Sequence, residues 1–266
     1  MNFMIAVDLE GCAGVHSEPN KTLGMAKDYT FACEQGAREA SAAARALFDA
    51  GADRVLIWDN HSSALNLPYD LMPEECEFLN GVGRTGRFSF VNAFDGGLDA
   101  ALFLGYHSRD NTANAVIAHT YSSIDYQYVK VNGVERGEIE IDAFLLGEKN
   151  IPLIFVASDD KACVQTKAFL PSCNTLQTKQ SLSFNASIFK HPHRVAKEIY
   201  SEVFNTTKAF MADPKAFPIA AYDTPVEIEM RFKRLEGAQD AEQNGYTRFE
   251  PYCARKIFPT LGDYMR

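Results

Sequence analysis

Two short apolar segments flank one long helical segment at the start of the chain, and this order constrains the fold more than any other feature. Phe3 to Val7 is a run of apolar residues typical of a buried strand. Residues 25–51 are rich in Ala, Glu and Arg, with apolar residues at helical spacing and Gly51 as a helix stop. Arg54 to Trp58 is the second apolar run. This order predicts a β-α-β unit, and therefore a parallel sheet.

Further segments repeat these patterns, and Val226 to Phe232 alternates apolar and charged residues as a half-buried strand does. They predict an α/β fold with a mainly parallel sheet flanked by helices, and a smaller C-terminal α+β portion. We expect one α/β domain over residues 1–190, with residues 191–266 packed on it. Other predicted strands are Ala101–Leu104, Ala115–Ala118, Tyr126–Val131 with a tight turn at Asn132-Gly133, and Pro152–Ala157; predicted helices are Gly137–Glu148, Lys161–Leu170 and His193–Phe204.

The charge of the chain argues against two classes of partner. The 266 residues carry a formal net charge of −9. A chain with this balance repels polyanions on average, so we expect neither nucleic acid nor an anionic membrane as a partner. No segment approaches the roughly 18 consecutive apolar residues of a membrane span. Gly81 to Gly86 is rich in glycine but lacks the G-x-G-x-x-G spacing of a dinucleotide site.

The six cysteines are far apart and form no C-x-x-C pair, which argues against a zinc ribbon and against a disulfide framework. The first residues lack the basic region and long apolar run of a signal peptide. We therefore expect a cytoplasmic protein with reduced thiols. On the same basis, the N-x-S/T triplets are interpreted as chance matches; they begin at Asn20, Asn60, Asn185 and Asn205.

Acidic residues or histidines follow the predicted strands at four places. They are Asp8 with Glu10, His61, His107 and His119. Because ligands bind beyond the carboxyl ends of strands in parallel α/β sheets, these side chains converge if their strands share one sheet. Imidazole nitrogen and carboxylate oxygen are normal zinc ligands, and one carboxylate between two ions is typical of two-metal hydrolases.

Each residue also has a structural interpretation when it is taken alone. A histidine after a strand is commonly a hydrogen-bonded structural residue, and we assign His16, His191 and His193 to that class. Glu138 at a helix start favours the helix dipole. Asp159-Asp160 matches a helix cap. Asp142 lies one helical turn after Glu138, where a solvated carboxylate is the ordinary interpretation.

Several motifs in a fixed order resemble the D-aminopeptidases of peptidase family M55, the DppA type. They are Ala6-Val7-Asp8-Leu9-Glu10-Gly11-Cys12-Ala13-Gly14, Asp59-Asn60-His61-Ser62, Phe103-Leu104-Gly105-Tyr106-His107-Ser108, Gly137-Glu138, Val156-Ala157-Ser158-Asp159-Asp160 and Thr178-Lys179-Gln180-Ser181. The resemblance covers residues 1 to about 190 well and the remainder loosely.

The resemblance implies two zinc ions per subunit in a catalytic domain of residues 1–190. It implies five ligands, with Asp8 as the candidate bridge: Asp8, Glu10, His61, His107 and Glu138. It implies that His119 is the catalytic histidine, as a nucleophile or as a proton-transfer group that assists a metal-activated water. It also implies a ring-like homo-oligomer with enclosed sites, with the C-terminal portion as a candidate for contacts. The expected activity is removal of the N-terminal residue from short peptides, including D-amino-acid peptides.

Two other interpretations remain open from the residues. The same ligands could serve another metal-dependent amidohydrolase or a phosphoesterase, and a phosphoesterase would place Arg or Lys near the metals. Arg109 and Lys130 lie near the motifs in the sequence. Alternatively, the chain is a non-catalytic α/β binding protein in which the carboxylates and histidines are structural.

Overall fold

A seven-stranded sheet forms the centre of the protein in this computed structural model, which describes residues 1–18, 23–81 and 87–265. Asn20 and most of the glycine-rich segment Gly81–Gly86 lie outside the described residues. The strands of this sheet are β1 (Asn2–Val7), β2 (Arg54–Asp59), β3 (Glu77–Leu79), β4 (Ala100–Leu104), β7 (Leu153–Asp159), β8 (Asn174–Ser183) and β9 (Ala186–Phe189).

The strand order is β3-β2-β1-β4-β7-β8-β9, and only the last pair is antiparallel. This order places β2 and β4 on either side of β1. The carboxyl ends of β2, β1 and β4 are therefore neighbours at one edge of the sheet.

Helices cover both faces of the sheet. The helices are α1 (Tyr29–Ala50), α2 (Glu138–Gly147), α3 (Asp160–Phe169), α4 (Pro192–Ala212), α5 (Leu235–Gln243) and α6 (Leu261–Tyr264). Single turns of 3-10 helix lie at Leu23–Met25, Tyr69–Leu71, Ser89–Asn92 and Pro214–Ala216.

The two faces of β1 bury different side chains, as the period of two in a strand requires. Phe3 and Ile5 belong to the core that the sheet shares with α1 and α4. Met4 and Ala6 belong to a second core, which includes α2 and the second sheet. Since both faces are covered, the continuous apolar run of β1 suits its central position.

The second sheet is antiparallel and draws strands from distant parts of the chain. Its order is β11-β12-β10-β5-β6. The strands are β5 (Tyr126–Val131), β6 (Val134–Arg136), β10 (Val226–Phe232), β11 (Thr247–Glu250) and β12 (Cys253–Phe258). The boundary expected near residue 190 lies between β9 and α4, and this second sheet contains strands from both sides of it.

The predicted fold class is confirmed, and most predicted elements are present. Asn132 and Gly133 have φ values of 50° and 79°, so they form the expected tight turn between β5 and β6. Val226–Phe232 buries every second residue, as its alternation predicted. Asp159 caps α3, because its side chain accepts hydrogen bonds from the backbone N–H groups of Lys161 and Ala162.

The strand predicted at Ala115–Ala118 is wrong, because these residues form a loop. Ile117 has a φ of 49°, which is outside the range of a strand. Its N–H donates to the carbonyl of Phe184, in the turn between β8 and β9, at 2.9 Å. A contact with a distant turn therefore overrides the local apolar pattern.

The six cysteines all have free thiols, as their spacing predicted. Within the described residues, no helix has both the length and the apolar character needed to cross a membrane.

Candidate metal centre

Three adjacent strands deliver four of the five predicted ligands to one edge of the central sheet, namely Asp8, Glu10, His61 and His107. Asp8 follows β1 directly, and its N–H donates to the carbonyl of Leu104 at the end of β4. His61 lies two residues beyond β2, and His107 lies three residues beyond β4. The convergence expected from the sequence is therefore present.

Asp8, Glu10 and His61 form the first group. Nδ1 of His61 lies 2.8 Å from Oδ1 of Asp8 and 3.0 Å from Oε2 of Glu10. All three residues are buried, and their donor atoms lie within 4.8 Å of one another. One imidazole nitrogen and two carboxylate oxygens thus face the same small volume.

His107, Glu138 and His119 form the second group, with the same 4.8 Å limit between donor atoms. Nε2 of His107 lies 3.2 Å from Oε1 of Glu138, and Nε2 of His119 lies 3.9 Å from the same oxygen. Glu138 begins α2, where the helix dipole favours a negative charge. It also accepts a hydrogen bond from the backbone N–H of Tyr121 at 2.7 Å.

Asp8 lies between the two groups. Its Oδ1 contacts His61, whereas its Oδ2 lies 3.6 Å from Nε2 of His107. One carboxylate with an oxygen toward each group has the arrangement of a ligand shared by two ions.

Two glycines allow the loops after β1 and β4 to approach closely enough for this arrangement. The N–H of Gly11 donates to the carbonyl of Gly105 at 2.6 Å. A Cβ atom on Gly105 would lie 1.9 Å from the carbonyl oxygen of Asp8, and its φ of +70° also favours glycine. A Cβ atom on Gly11 would lie 1.8 Å from the carbonyl oxygen of Tyr106. Side chains at these positions would separate Asp8 from His107.

Backbone carbonyls orient two of the histidines. Nδ1 of His107 lies 3.0 Å from the carbonyl oxygen of Ser108, and Nδ1 of His119 lies 2.7 Å from that of Ile117. In each ring Nδ1–H is therefore the donor, so Nε2 faces the cluster, where it offers a lone pair whenever the ring is neutral. This orientation is common for histidines that bind metals.

Lys179 holds the loop that carries Asp8 and Glu10. Its ammonium group is buried and donates to the backbone carbonyls of Glu10, Cys12 (3.1 Å) and Val15 (2.7 Å). Thr178, beside it on β8, donates from Oγ1 to the carbonyl of Gly11 at 2.6 Å. Both residues belong to one of the sequence motifs, but the sequence indicates no function for Lys179, because its partners lie more than 160 positions away.

The buried charges interact strongly. Burial and the charge of Glu10 raise the pKa of Asp8 to about 7. Burial opposes protonation of His61, but the charge of Glu10 and hydrogen bonds to both carboxylates raise its pKa to about 12. Burial also opposes protonation of His107, yet the charge of Glu138 raises its pKa to about 10. In the protein without metal, protonated imidazoles therefore balance the carboxylates.

His119 differs from the other two histidines. Burial and the positive charge of His107 lower the pKa of His119. The His119 ring stays neutral at physiological pH, so Nε2 can accept a proton or bind a metal ion.

A cavity of about 360 Å³ opens onto both groups. Asp8, Glu10, His61, His119 and Glu138 line it, with Asn60 of the same motif as His61 and with residues that the sequence did not indicate, namely Leu23, Arg87, Tyr121 and Ile124. Arg87 is paired with Asp142, which is buried rather than solvated as expected. The volume is at the small end of the range for ligand pockets, about 300–1,000 Å³.

The other residues considered from the sequence lie outside this cluster. Asp159 caps α3 and accepts a hydrogen bond from Oγ of Ser108 at 2.8 Å, so it supports the loop of His107. Asp160 accepts from the N–H of Ser181 at 2.8 Å. His191 accepts from the N–H of His193 at the start of α4, and His16 is half exposed in a loop.

Comparisons with known proteins identify the family of this chain. The model of the family Peptidase_M55, described as D-aminopeptidase, matches residues 1–259. A D-aminopeptidase of Bacillus subtilis (strain 168) is 26% identical over 226 residues, which are 85% of this chain and 80% of that protein.

A solved structure shares the fold at 23% identity. It is the Zn-dependent D-aminopeptidase DppA from Bacillus subtilis, described as a self-compartmentalizing protease. The match has a TM-score of 0.87 and covers 99% of this chain and 94% of that chain. Since the family model spans nearly the whole chain, this protein belongs to Peptidase_M55, the D-aminopeptidase family, and is an aminopeptidase.

Proposed function

We propose that this enzyme uses two zinc ions per subunit to remove the N-terminal D-amino acid from short peptides. The observation that carries the proposal is the position of Asp8, which presents one carboxylate oxygen to each of two groups of donor atoms. The similar protein of known structure is a Zn-dependent D-aminopeptidase, which supports zinc and the D-configuration of the substrate.

Glu10 and His61 would hold the first ion, and His107 and Glu138 the second, with Asp8 shared between them. Nitrogen and carboxylate oxygen donors suit zinc. Nε2 of His107 fits this assignment, because it is buried 3.2 Å from Oε1 of Glu138 and makes no well-aligned hydrogen bond among the described residues. A buried polar atom without a partner costs free energy unless a ligand satisfies it. The positive charge of the ions would replace the protons on His61 and His107.

When bound, the zinc ions supply Lewis acidity that polarises the scissile carbonyl and makes a water molecule a better nucleophile. His119 would assist by moving a proton at Nε2, because its Nδ1–H is held by the carbonyl of Ile117 and its ring is neutral. Two other functions of Nε2 fit the same position, since it lies 4.0 Å from Glu10 and 3.9 Å from Glu138. These are direct attack on the carbonyl and binding of the second ion.

The alternatives that the residues left open have less support. Membership of the family argues against a non-catalytic binding protein. For a phosphoesterase, an Arg or Lys would have to face the metals, and the two candidates that lie near the motifs in the sequence, Arg109 and Lys130, are engaged elsewhere. Arg109 pairs with Glu140 at 3.3 Å, and Lys130 pairs with Glu229 at 2.7 Å. Neither of these two residues lines the cavity; Arg87 does, so membership of the family is the stronger argument against a phosphoesterase.

Assembly into a ring-like homo-oligomer with enclosed sites is part of the proposal. The similar structure is a self-compartmentalizing protease. On this chain, apolar side chains are exposed at the β8–β9 edge and in residues 191–266. Both sets would supply contacts between subunits. They are Leu182, Phe184, Ile188 and Phe189 at the edge, and Phe249, Tyr252 and Ile257 in the C-terminal portion. We also propose a cytoplasmic location, which the six free thiols support.

Turnover of stereoisomeric dipeptides tests the activity. Zinc-loaded protein should release D-Ala from D-Ala-D-Ala, lose this activity in EDTA and regain it when zinc is returned. L-Ala-L-Ala measured in parallel tests the stereochemistry. Equal hydrolysis of both dipeptides would contradict the D-specificity. No hydrolysis of either by protein with two zinc ions would contradict the peptidase assignment.

A further inference from the structure

Arg87 lies in the wall of the cavity that contains the candidate metal centre. We propose that its guanidinium group binds the free carboxylate of a short peptide and makes the enzyme selective for peptides with an unblocked C-terminus. This inference rests on the proposed function, because it assigns a second contact to the same substrate.

Asp142 fixes the guanidinium group by a fork of two hydrogen bonds. Nε of Arg87 lies 2.6 Å from Oδ1 of Asp142, and Nη2 lies 2.7 Å from Oδ2. The Asp142 side chain is completely buried, whereas that of Arg87 is 18% exposed. This fork leaves Nη1, with two further N–H donors, outside the pair with Asp142.

Aromatic rings hold the same group from other sides. The guanidinium carbon lies 5.1 Å from the ring centre of Trp58 and 5.2 Å from that of Tyr121. Asp142 also accepts hydrogen bonds from the hydroxyl groups of Tyr106, at 2.8 Å, and Tyr121, at 3.2 Å. These contacts fix Arg87 before a ligand arrives, which lowers the entropic cost of binding.

The charges around the cavity match a peptide that carries both of its terminal charges. Among the described residues that line the cavity, Arg87 is the only Lys or Arg, whereas Asp8, Glu10 and Glu138 are acidic. A planar guanidinium with N–H donors outside its pair with Asp142 suits a carboxylate, which it can bind through two parallel hydrogen bonds.

Tyr121 shows that Arg87 is close to the metal centre. The backbone N–H of Tyr121 bonds to Glu138, and its ring lies beside Arg87. A peptide with its amino end at the metal centre would thus need only a few residues to bring its carboxylate to Arg87. The carboxylate of a long peptide would lie too far from the metal centre to reach Arg87. A limit on peptide length also agrees with the small volume of the cavity.

Hydrolysis of D-Ala-D-Ala and of its C-terminal amide by the unaltered, zinc-loaded enzyme gives the first test. The amide lacks the negative charge but keeps the scissile bond. We expect kcat/KM to be roughly 10- to 100-fold higher for the acid, because the amide loses a charged hydrogen bond. The difference should arise from KM, with kcat nearly the same for both peptides. Equal kcat/KM values for the acid and the amide would overturn the proposal.

Variants then test whether Arg87 causes the preference for the acid over the amide. Arg87→Met leaves Asp142 buried without its charged partner and could unfold the protein, so the double variant Arg87→Met/Asp142→Asn is made beside it. The ratio of kcat/KM for acid over amide should fall to about 1 in the double variant and take an intermediate value in Arg87→Lys. An unchanged ratio in the folded double variant would overturn the proposal.

A measurement of peptide binding tests the function of Arg87 independently of the aminopeptidase activity. In a His119→Ala background, calorimetry should show tighter binding of the acid than of the amide, and addition of Arg87→Met/Asp142→Asn should remove the difference. No turnover of either peptide by the unaltered enzyme would contradict the aminopeptidase activity. Equal binding of acid and amide would overturn the function of Arg87, whether or not turnover is observed.

Discussion

The imidazole ring of His119 stacks on that of His107, with ring centres 3.9 Å apart and planes 13° apart. The two rings are held independently, because each Nδ1 bonds to a different backbone carbonyl. Both Nε2 atoms face Glu138. The pair therefore places a neutral histidine directly beside a proposed metal ligand, where it can bind a proton or a metal ion.

Substitution of His119 distinguishes proton transfer from metal binding. If His119 transfers a proton, His119→Ala should keep two zinc ions per chain and lower kcat by about 10²- to 10⁴-fold. His193→Ala is a matched control, since His193 is exposed at the start of α4 and should retain both zinc and activity. Zinc content by elemental analysis and kcat are measured on the same samples. Loss of one zinc ion in His119→Ala would identify His119 as a ligand instead.

Replacement of Asp8 should affect both ions, whereas replacement of His61 or His107 should affect one. We expect His61→Ala and His107→Ala each to retain about one zinc ion, because each removes a ligand from a single group. Asp8→Asn should bind neither ion tightly, because its two oxygens face different groups. Titration with zinc, followed by calorimetry, measures the number of sites. Asp8→Asn with one site at undiminished affinity would show that Asp8 is not shared.

Zinc binding should release protons at pH 7. The pKa of His61 is raised to about 12 and that of His107 to about 10, so both imidazoles are protonated in the metal-free protein. The ion pairs of these imidazoles stabilise the metal-free protein, and the stabilisation is complete below the histidine pKa of the unfolded chain, about 6.5. It is lost as the pH rises through about 10 for His107 and about 12 for His61. Zinc binds the neutral imidazole, so its affinity should increase as the pH rises over this range.

Calorimetry in two buffers with different ionisation enthalpies measures this release. We expect between two and three protons per chain when both ions bind at pH 7, one from each imidazole and about half of one from Asp8, whose pKa is about 7. Uptake of two zinc ions without proton release would show that His61 and His107 are neutral beforehand, and would contradict the ion pairs of the metal-free protein.

Lys179 should matter for zinc binding although it contacts no donor atom of the metal centre. Its three hydrogen bonds hold the backbone of the loop that presents Asp8 and Glu10. Lys179→Met would leave three carbonyls without this donor and lower the free energy of unfolding by about 3 kcal/mol. It should also weaken zinc binding, measured by competition with a chelator. Lys208→Met, at an exposed position on α4, is the control. Unaltered zinc affinity in folded Lys179→Met would contradict this account of the loop.

The parts of the site that depend on local sequence were predictable. Asp8, His61 and His107 follow apolar runs at the ends of strands, and a parallel sheet brings such ends together. His119 was placed after a strand that does not form. The loop instead brings His119 to the cluster through hydrogen bonds from Ile117 to Phe184 and from His119 to Ser108.

The parts that depend on long-range pairing could not be read from the sequence. Arg87 and Asp142 are 55 positions apart, and nothing near either residue indicates the other. The second sheet joins β5 to β10, about 100 positions further along the chain, so a boundary near residue 190 could not anticipate it. Local patterns identify strands and their ends, whereas the partners of buried charges depend on the complete fold.

Zinc content per chain tests the central claim most directly. The protein is purified without added metal or chelator and analysed by elemental analysis, with a second sample analysed after zinc is added and the excess removed. The arrangement of Asp8 between two groups of donor atoms predicts two zinc ions per chain in the second sample. One ion per chain, or none after zinc is added, would contradict a shared two-metal centre.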